Sequence, residues 1–117
     1  MRTLLLIVDD WESLEWYEDR LQQDFQVTCA PFGSEGIRLA QELQPDLIFL
    51  DLVFEDMTPI EAFQNLQDNP KTKEIPTILI LNPEDTLAFQ FPEKTSALTR
   101  PFQFEDLLKT MKSSPLH

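Results

Sequence analysis

Leu47-Ile48-Phe49-Leu50-Asp51 is a run of four apolar residues closed by a carboxylate. It lies between the turn pair Pro45-Asp46 and an acidic loop. An uninterrupted apolar run of this length suits a strand buried on both faces of a parallel sheet. In open α/β sheets, ligands and reacting groups lie just beyond the carboxyl ends of the strands. Asp51 is therefore placed where such a fold offers a side chain to a ligand. The first strand repeats the arrangement, with Leu4-Leu5-Leu6-Ile7-Val8 followed by Asp9-Asp10. Two apolar strands thus end in three carboxylates.

Working outward, residues 3–8 read as strand one. Glu12–Gln23 carries Leu14, Tyr17 and Leu21 at helical spacing. Phe25–Ala30 alternates as a strand. Ser34 is expected to cap a helix whose inner face is Ile37, Ala40 and Leu43, ending before Pro45. Thr58-Pro59-Ile60-Glu61 is a helix start, with Thr as N-cap, Pro in the first turn and Glu three after the cap; this helix runs to about Gln67. Ile75–Leu81 is a fourth strand, Thr95–Thr99 a fifth, and Phe104–Met111 a last helix with Leu107 and Leu108 inward. Asn82-Pro83-Glu84-Asp85 opens another helix, but Phe91-Pro92 breaks it after barely two turns. The expected fold is α/β: a doubly wound, five-stranded parallel sheet with helices on both faces and a fourth helix that is short or missing. Residues 1–117 form a single domain, with 113–117 as a frayed tail.

The chain has 21 acidic and 9 basic residues, a formal net charge of −12. That argues against nucleic acid as a partner, where cationic side chains supply the affinity. The single cysteine, Cys29, allows no internal disulfide and is expected as a buried thiol. No apolar run approaches a membrane span and no signal peptide is visible, so a cytoplasmic protein is expected.

A glycine-rich phosphate cradle is missing after the first strand, since the two glycines are Gly33 and Gly36. An aspartate-nucleophile hydrolase would carry a second acid two residues after Asp51, where Val53 stands. The only histidine is the terminal His117. What remains is a divalent cation held by carboxylates, with one carboxylate accepting a group. Carboxylates about 4 Å apart repel by roughly 4 kcal/mol at an effective dielectric of 20. A hard dication such as Mg²⁺ offsets that repulsion. Asp51 would then serve as a covalent nucleophile, forming an aspartyl phosphate. The competing reading is that Asp9, Asp10 and Asp51 are ordinary loop acids capping helices.

These residues resemble the receiver domains of two-component response regulators, particularly stand-alone chemotaxis-type ones with the flavodoxin-like receiver fold. The likeness spans the chain. It rests on Asp9-Asp10, on Pro45 through Leu52, on Asp68-Asn69-Pro70 with Ile75-Pro76, and on Arg100-Pro101-Phe102. The resemblance implies a phosphoacceptor at Asp51, and Mg²⁺ held by Asp9, Asp10, Asp51 and the Val53 backbone carbonyl. It implies as donor a histidine on a sensor histidine kinase or histidine phosphotransfer protein, and signalling through a downstream protein. Catalysis would not extend beyond the domain's own phosphorylation and dephosphorylation.

Departures from the family pattern bear on mechanism. Leu81 stands where a Thr or Ser hydroxyl bonds the phosphoryl group, so that donor is lost. Arg100 replaces a lysine as the phosphate contact; a surface ion pair is the competing role for it. Ala97 replaces a switching aromatic, and Glu55 and Pro59 stand in the loop where Pro and Gly are common. The alternative function is accordingly a pseudo-receiver, an interaction module that works without phosphorylation. Trp11 reads equally as packing or gating, Trp16 as an exposed aromatic or partner contact, and Phe89 and Phe91 as cover for the core.

Overall fold

The computed structural model describes residues 1–53, 57–83 and 95–113. Among the described residues the elements are β1 (Thr3–Val8), α1 (Trp11–Leu21), β2 (Gln26–Ala30), α2 (Gly33–Leu43), β3 (Leu47–Asp51), α3 (Pro59–Gln67), β4 (Thr77–Leu81), β5 (Thr95–Thr99) and α4 (Phe104–Ser113). The short helix expected after Asn82, with Phe89, Phe91 and Pro92, lies outside the described residues, as do Glu55 and His117.

All strand pairings are parallel, in the order β2-β1-β3-β4-β5. The five-stranded parallel sheet inferred from the apolar runs is therefore present. β3 is buried from end to end and β1 from Leu4 to Val8, because helices cover both faces. Alternation along the strands divides the core in two. Leu4, Leu6, Val8 and Phe49 face α1 and α4, meeting Leu14, Tyr17, Leu21, Leu107 and Met111. Leu5, Ile7, Ile48 and Leu50 face α2 and α3, meeting Ala40, Ala62, Phe63 and Leu66. Each fully buried Leu, Ile or Phe contributes about 1.5–3 kcal/mol relative to an exposed one.

Local chemistry explains some of the element ends. Thr58 caps α3 as expected: its hydroxyl accepts the Glu61 N–H at 3.1 Å, and Pro59 occupies the first turn. Asp46 ties the starts of β1 and β3 together, accepting from the Thr3 N–H at 2.8 Å and the Thr3 hydroxyl at 3.1 Å. Helix α1 buries Leu14, Tyr17 and Leu21, the face its periodicity marks.

Several expectations need correction. Helix α2 starts two residues earlier than a Ser34 cap implies, with Phe32 as its N-cap residue. Its buried stripe is Gly33, Gly36 and Ala40, while Leu43 is 51% exposed. Leu43 instead lines a solvent-facing pocket with Thr3, Leu4, Leu5, Gln26, Thr28 and Pro45, beside the starts of β1 and β2. Strand β4 starts at Thr77, not Ile75, and α4 continues through Ser113. Cys29 is half-buried, because it lies on the edge strand β2.

Candidate functional site

The sheet order reverses direction between β1 and β3: the chain builds β2 on one side of β1 and β3 on the other. Such a switch point leaves a crevice beyond the carboxyl ends of the two strands. Val8 and Asp51 pair across them, so Asp9, Asp10 and Asp51 all emerge at that crevice.

Asp51 is only 4% exposed and shares the strand face of Phe49. Both of its carboxylate oxygens have partners. Oδ1 is bridged to the Arg100 guanidinium, and Oδ2 accepts the Tyr17 hydroxyl at 2.8 Å. Burial raises the Asp51 carboxyl above the ordinary range; Arg100 and then the Tyr17 hydrogen bond oppose that shift, and the Asp9 charge adds to it. The ion pair thus offsets the cost of burying the charge without cancelling it.

Arg100 is placed by backbone as well as by charge. Its N–H bonds the Leu81 carbonyl at 2.9 Å, at the very end of β4. Its guanidinium also approaches the Asn82 side-chain oxygen at 3.4 Å. The Leu81 side chain is 1% exposed and packs into the core facing α2 and α3. It brings no hydrogen-bond donor to the crevice. Ala97, one strand over, packs against the same core.

The acids of β1 have separate roles in the geometry. Asp9 Oδ1 accepts the Val53 N–H at 2.8 Å, tying the loop after β3 to β1. Asp10 is the N-cap residue of α1, but its carboxylate makes no cap bond to the helix backbone; it accepts the Ser13 hydroxyl at 2.5 Å. Trp11 is 64% exposed, so it is not a core residue. Trp16 is 39% exposed and packs edge-on against Phe104 of α4 at 5.5 Å, with the Arg20 guanidinium 4.0 Å over its ring.

Tyr17 is the site residue that the sequence reading missed. Periodicity marked it as core, which its ring is, standing edge-on to Phe49 at 4.7 Å. Asp51 lies two residues beyond Phe49 on the same face, about 7 Å along the strand. A phenol seated on Phe49 reaches that far with its hydroxyl. Burial first, then the Asp51 charge and hydrogen bond, hold the phenol well above its usual range, so it stays a donor.

The carboxylates of Asp9, Asp10 and Asp51 with the Val53 carbonyl are oxygen ligands of the type Mg²⁺ takes. Their arrangement fits less well than their chemistry. Among the described residues no group of three acidic, histidine or cysteine side chains is gathered closely enough to hold an ion. Both Asp51 oxygens, one of Asp9 and one of Asp10 are engaged by protein donors.

No protein-family profile matches the chain. The fold and crevice define a doubly wound α/β domain of the kind found in signalling receivers, and comparison with known proteins makes this specific. Protein PilH of Pseudomonas aeruginosa is 29% identical over 115 residues, covering 93% of this chain and 94% of that protein. The Vibrio cholerae chemotaxis protein CheY4 superposes with a TM-score of 0.81 at 24% identity, over 97% of this chain and 98% of that one. The receiver domain of sensor histidine kinase PA1611 from Pseudomonas aeruginosa superposes with a TM-score of 0.78 at 19% identity, over 95% and 94% of the two chains; that structure has a magnesium ion in its active-site cleft. Other curated relatives are longer proteins, of which the chain spans about half or less. The chain has the receiver fold of two-component response regulators. That likeness supports a role in phosphorelay signalling. No helix among the described residues is long and apolar enough to cross a membrane.

Proposed function

We propose that the chain is a single phosphoacceptor domain that takes a phosphoryl group onto Asp51 from a histidine of a sensor kinase or phosphotransfer protein. It then signals in the cytoplasm by contact with a further protein. The observation that carries this reading is the position of Asp51: buried at the end of the central strand β3, at the switch point, against the Arg100 guanidinium.

Each residue has a physical part. The Asp51 carboxylate is the nucleophile that attacks phosphorus. Arg100, already paired with it, would turn its second guanidinium edge to the incoming phosphoryl oxygens, binding them as a planar fork. Asp9, Asp10, Asp51 and the Val53 carbonyl would hold Mg²⁺, which when bound would offset phosphoryl charge. Leu81 supplies no hydroxyl, so a hydrogen bond of about 1.5–3 kcal/mol that would favour an active state is missing. Phosphorylation is accordingly transmitted weakly.

A second reading is favoured by the engaged oxygens of Asp51 and the dispersed acids. In it the domain is a pseudo-receiver, an interaction module whose Asp51–Arg100 pair is a fixed structural bridge. Incubation with Mg²⁺ and acetyl phosphate, followed by intact mass, separates the two. The acceptor reading expects one added phosphoryl group that Asp51→Asn abolishes. No gain, together with a melting temperature indifferent to Mg²⁺, favours the interaction module.

A further inference from the structure

We propose that Tyr17 restrains Asp51: its hydroxyl stabilises the unphosphorylated carboxylate and shortens the life of the aspartyl phosphate. This deepens the acceptor reading and rests on it.

The phenol is fixed on two sides. Its ring meets Phe49 at 4.7 Å and Trp16 at 5.3 Å, both edge-on, and the residue is only 6% exposed. From that seat the hydroxyl donates to Asp51 Oδ2 at 2.8 Å. Arg100 holds the other oxygen. The two donors differ in what they can do next. The guanidinium is 29% exposed, reaches from a loop, and has further N–H groups for a phosphoryl oxygen. The phenol is rooted in the middle of α1 and has one proton to give.

The sign of the effect follows from charge. A hydrogen bond to an anionic carboxylate is roughly twice as strong as one to a neutral acceptor. When an Asp51 oxygen attacks phosphorus, a P–O bond forms and the bond from phosphorus to the donor's leaving group breaks, its electron pair departing with that group. Asp51 becomes an acyl phosphate, and Oδ2 becomes its neutral carbonyl oxygen. The Tyr17 bond therefore weakens on phosphorylation. In hydrolysis, water attacks phosphorus and the P–O bond to Asp51 breaks, its electron pair returning to the carboxylate while a water proton passes to solvent. Negative charge reappears next to the hydroxyl in that transition state, where the bond strengthens again. Tyr17 thus favours both the resting state and the return to it. With Leu81 offering no hydroxyl from β4, no counterpart at that position holds the phosphorylated form.

The test compares wild type, Tyr17→Phe and Asp51→Asn after loading with acetyl phosphate and Mg²⁺, removal of the donor, and intact mass over time. Tyr17→Phe is expected to keep its phosphoryl group about three- to tenfold longer than wild type. A gain seen only in Tyr17→Phe, and lost when Asp51→Asn is added, supports the restraint equally. Equal or faster decay in Tyr17→Phe overturns the restraint and leaves Asp51 as acceptor. No gain in wild type or Tyr17→Phe overturns both readings together. A measurement on intact Tyr17 guards against a poorly folded variant. Tyr17 is the only tyrosine of the chain, so the tyrosine Fermi doublet in the Raman spectrum reports on this hydroxyl alone. It is expected to show a strong donor in wild type and a weaker one in Asp51→Asn. An unchanged doublet overturns the proposal.

Discussion

Gly36 of α2 lies so close to Ile7 of β1 that a Cβ on it would stand 2.5 Å from the Ile7 Cγ2 atom. The helix rests on the sheet through that hydrogen. Ile7 is fully buried and has little room to move. Gly36→Ala gains about 1 kcal/mol of helix propensity but incurs about 1–3 kcal/mol of overpacking. A net loss of about 1 kcal/mol is expected in urea unfolding, with the m-value unchanged, and a larger loss for Gly36→Val. A Gly36→Ala variant more stable than wild type would show that α2 sits further from β1.

The Thr58 cap makes a smaller, local contribution. Removing its hydroxyl leaves the Glu61 N–H without its partner at the start of α3. Thr58→Ala is expected to cost about 1 kcal/mol, and Thr58→Ser to restore most of it. Equal midpoints for Thr58→Ala and Thr58→Ser would exclude the capping role.

At Asp51 burial outweighs the help from Arg100 and Tyr17, so its ionised form is expected to cost stability in the absence of metal. In chelator at neutral pH, Asp51→Asn is expected to melt higher than wild type, and added Mg²⁺ to narrow the gap by stabilising wild type alone. A lower melting temperature for Asp51→Asn would mean that the bridge to Arg100 more than repays the burial.

Cys29 is the group whose pH dependence is simplest to follow. Its thiol is pushed up to about 12, by burial first and then by the hydrogen bond and charge of Glu18, whose carboxylate it meets at 3.4 Å. The unfolded thiol ionises near 9, so the folded state holds the proton longer. This contribution to stability is complete below about 9 and is lost as the pH rises through about 12. Alkylation by iodoacetamide should stay slow until well above pH 9, and Glu18→Gln should shift its onset downward. An alkylation midpoint at the ordinary thiol value in wild type would contradict it.

Trp16 and Phe104 join α1 to α4 through rings 5.5 Å apart at 84°. A double-mutant cycle of Trp16→Ala and Phe104→Ala is expected to give a coupling of about 0.5–1.5 kcal/mol. A coupling of zero would reduce the pair to two independent surface aromatics.

The sheet is legible in the sequence because the signals for it are local. Leu4–Val8 and Leu47–Leu50 are apolar at every position, which only a strand covered on both sides tolerates. Thr58, Pro59 and Glu61 spell a helix start within four residues, and the spacing of Leu14, Tyr17 and Leu21 sets one face of α1. The capping rule pointed to Ser34 and misled: α2 starts at Gly33, after Phe32, with Gly36 packed against Ile7 of β1. Leu43 keeps the helical spacing but lines a solvent-facing pocket instead of the closed core, a distinction that periodicity does not carry.

By itself, then, the order of residues determined the strands, the parallel sheet and the presence of Asp9, Asp10 and Asp51 at one end of it, since strand parity and carboxyl ends follow from short-range rules. Only the tertiary structure decided what surrounds Asp51. Its partners Tyr17 and Arg100 lie 34 and 49 residues away. Which oxygen each one meets depends on how α1 crosses Phe49 and on how the chain leaves β5, and neither is encoded in any stretch short enough to have a period.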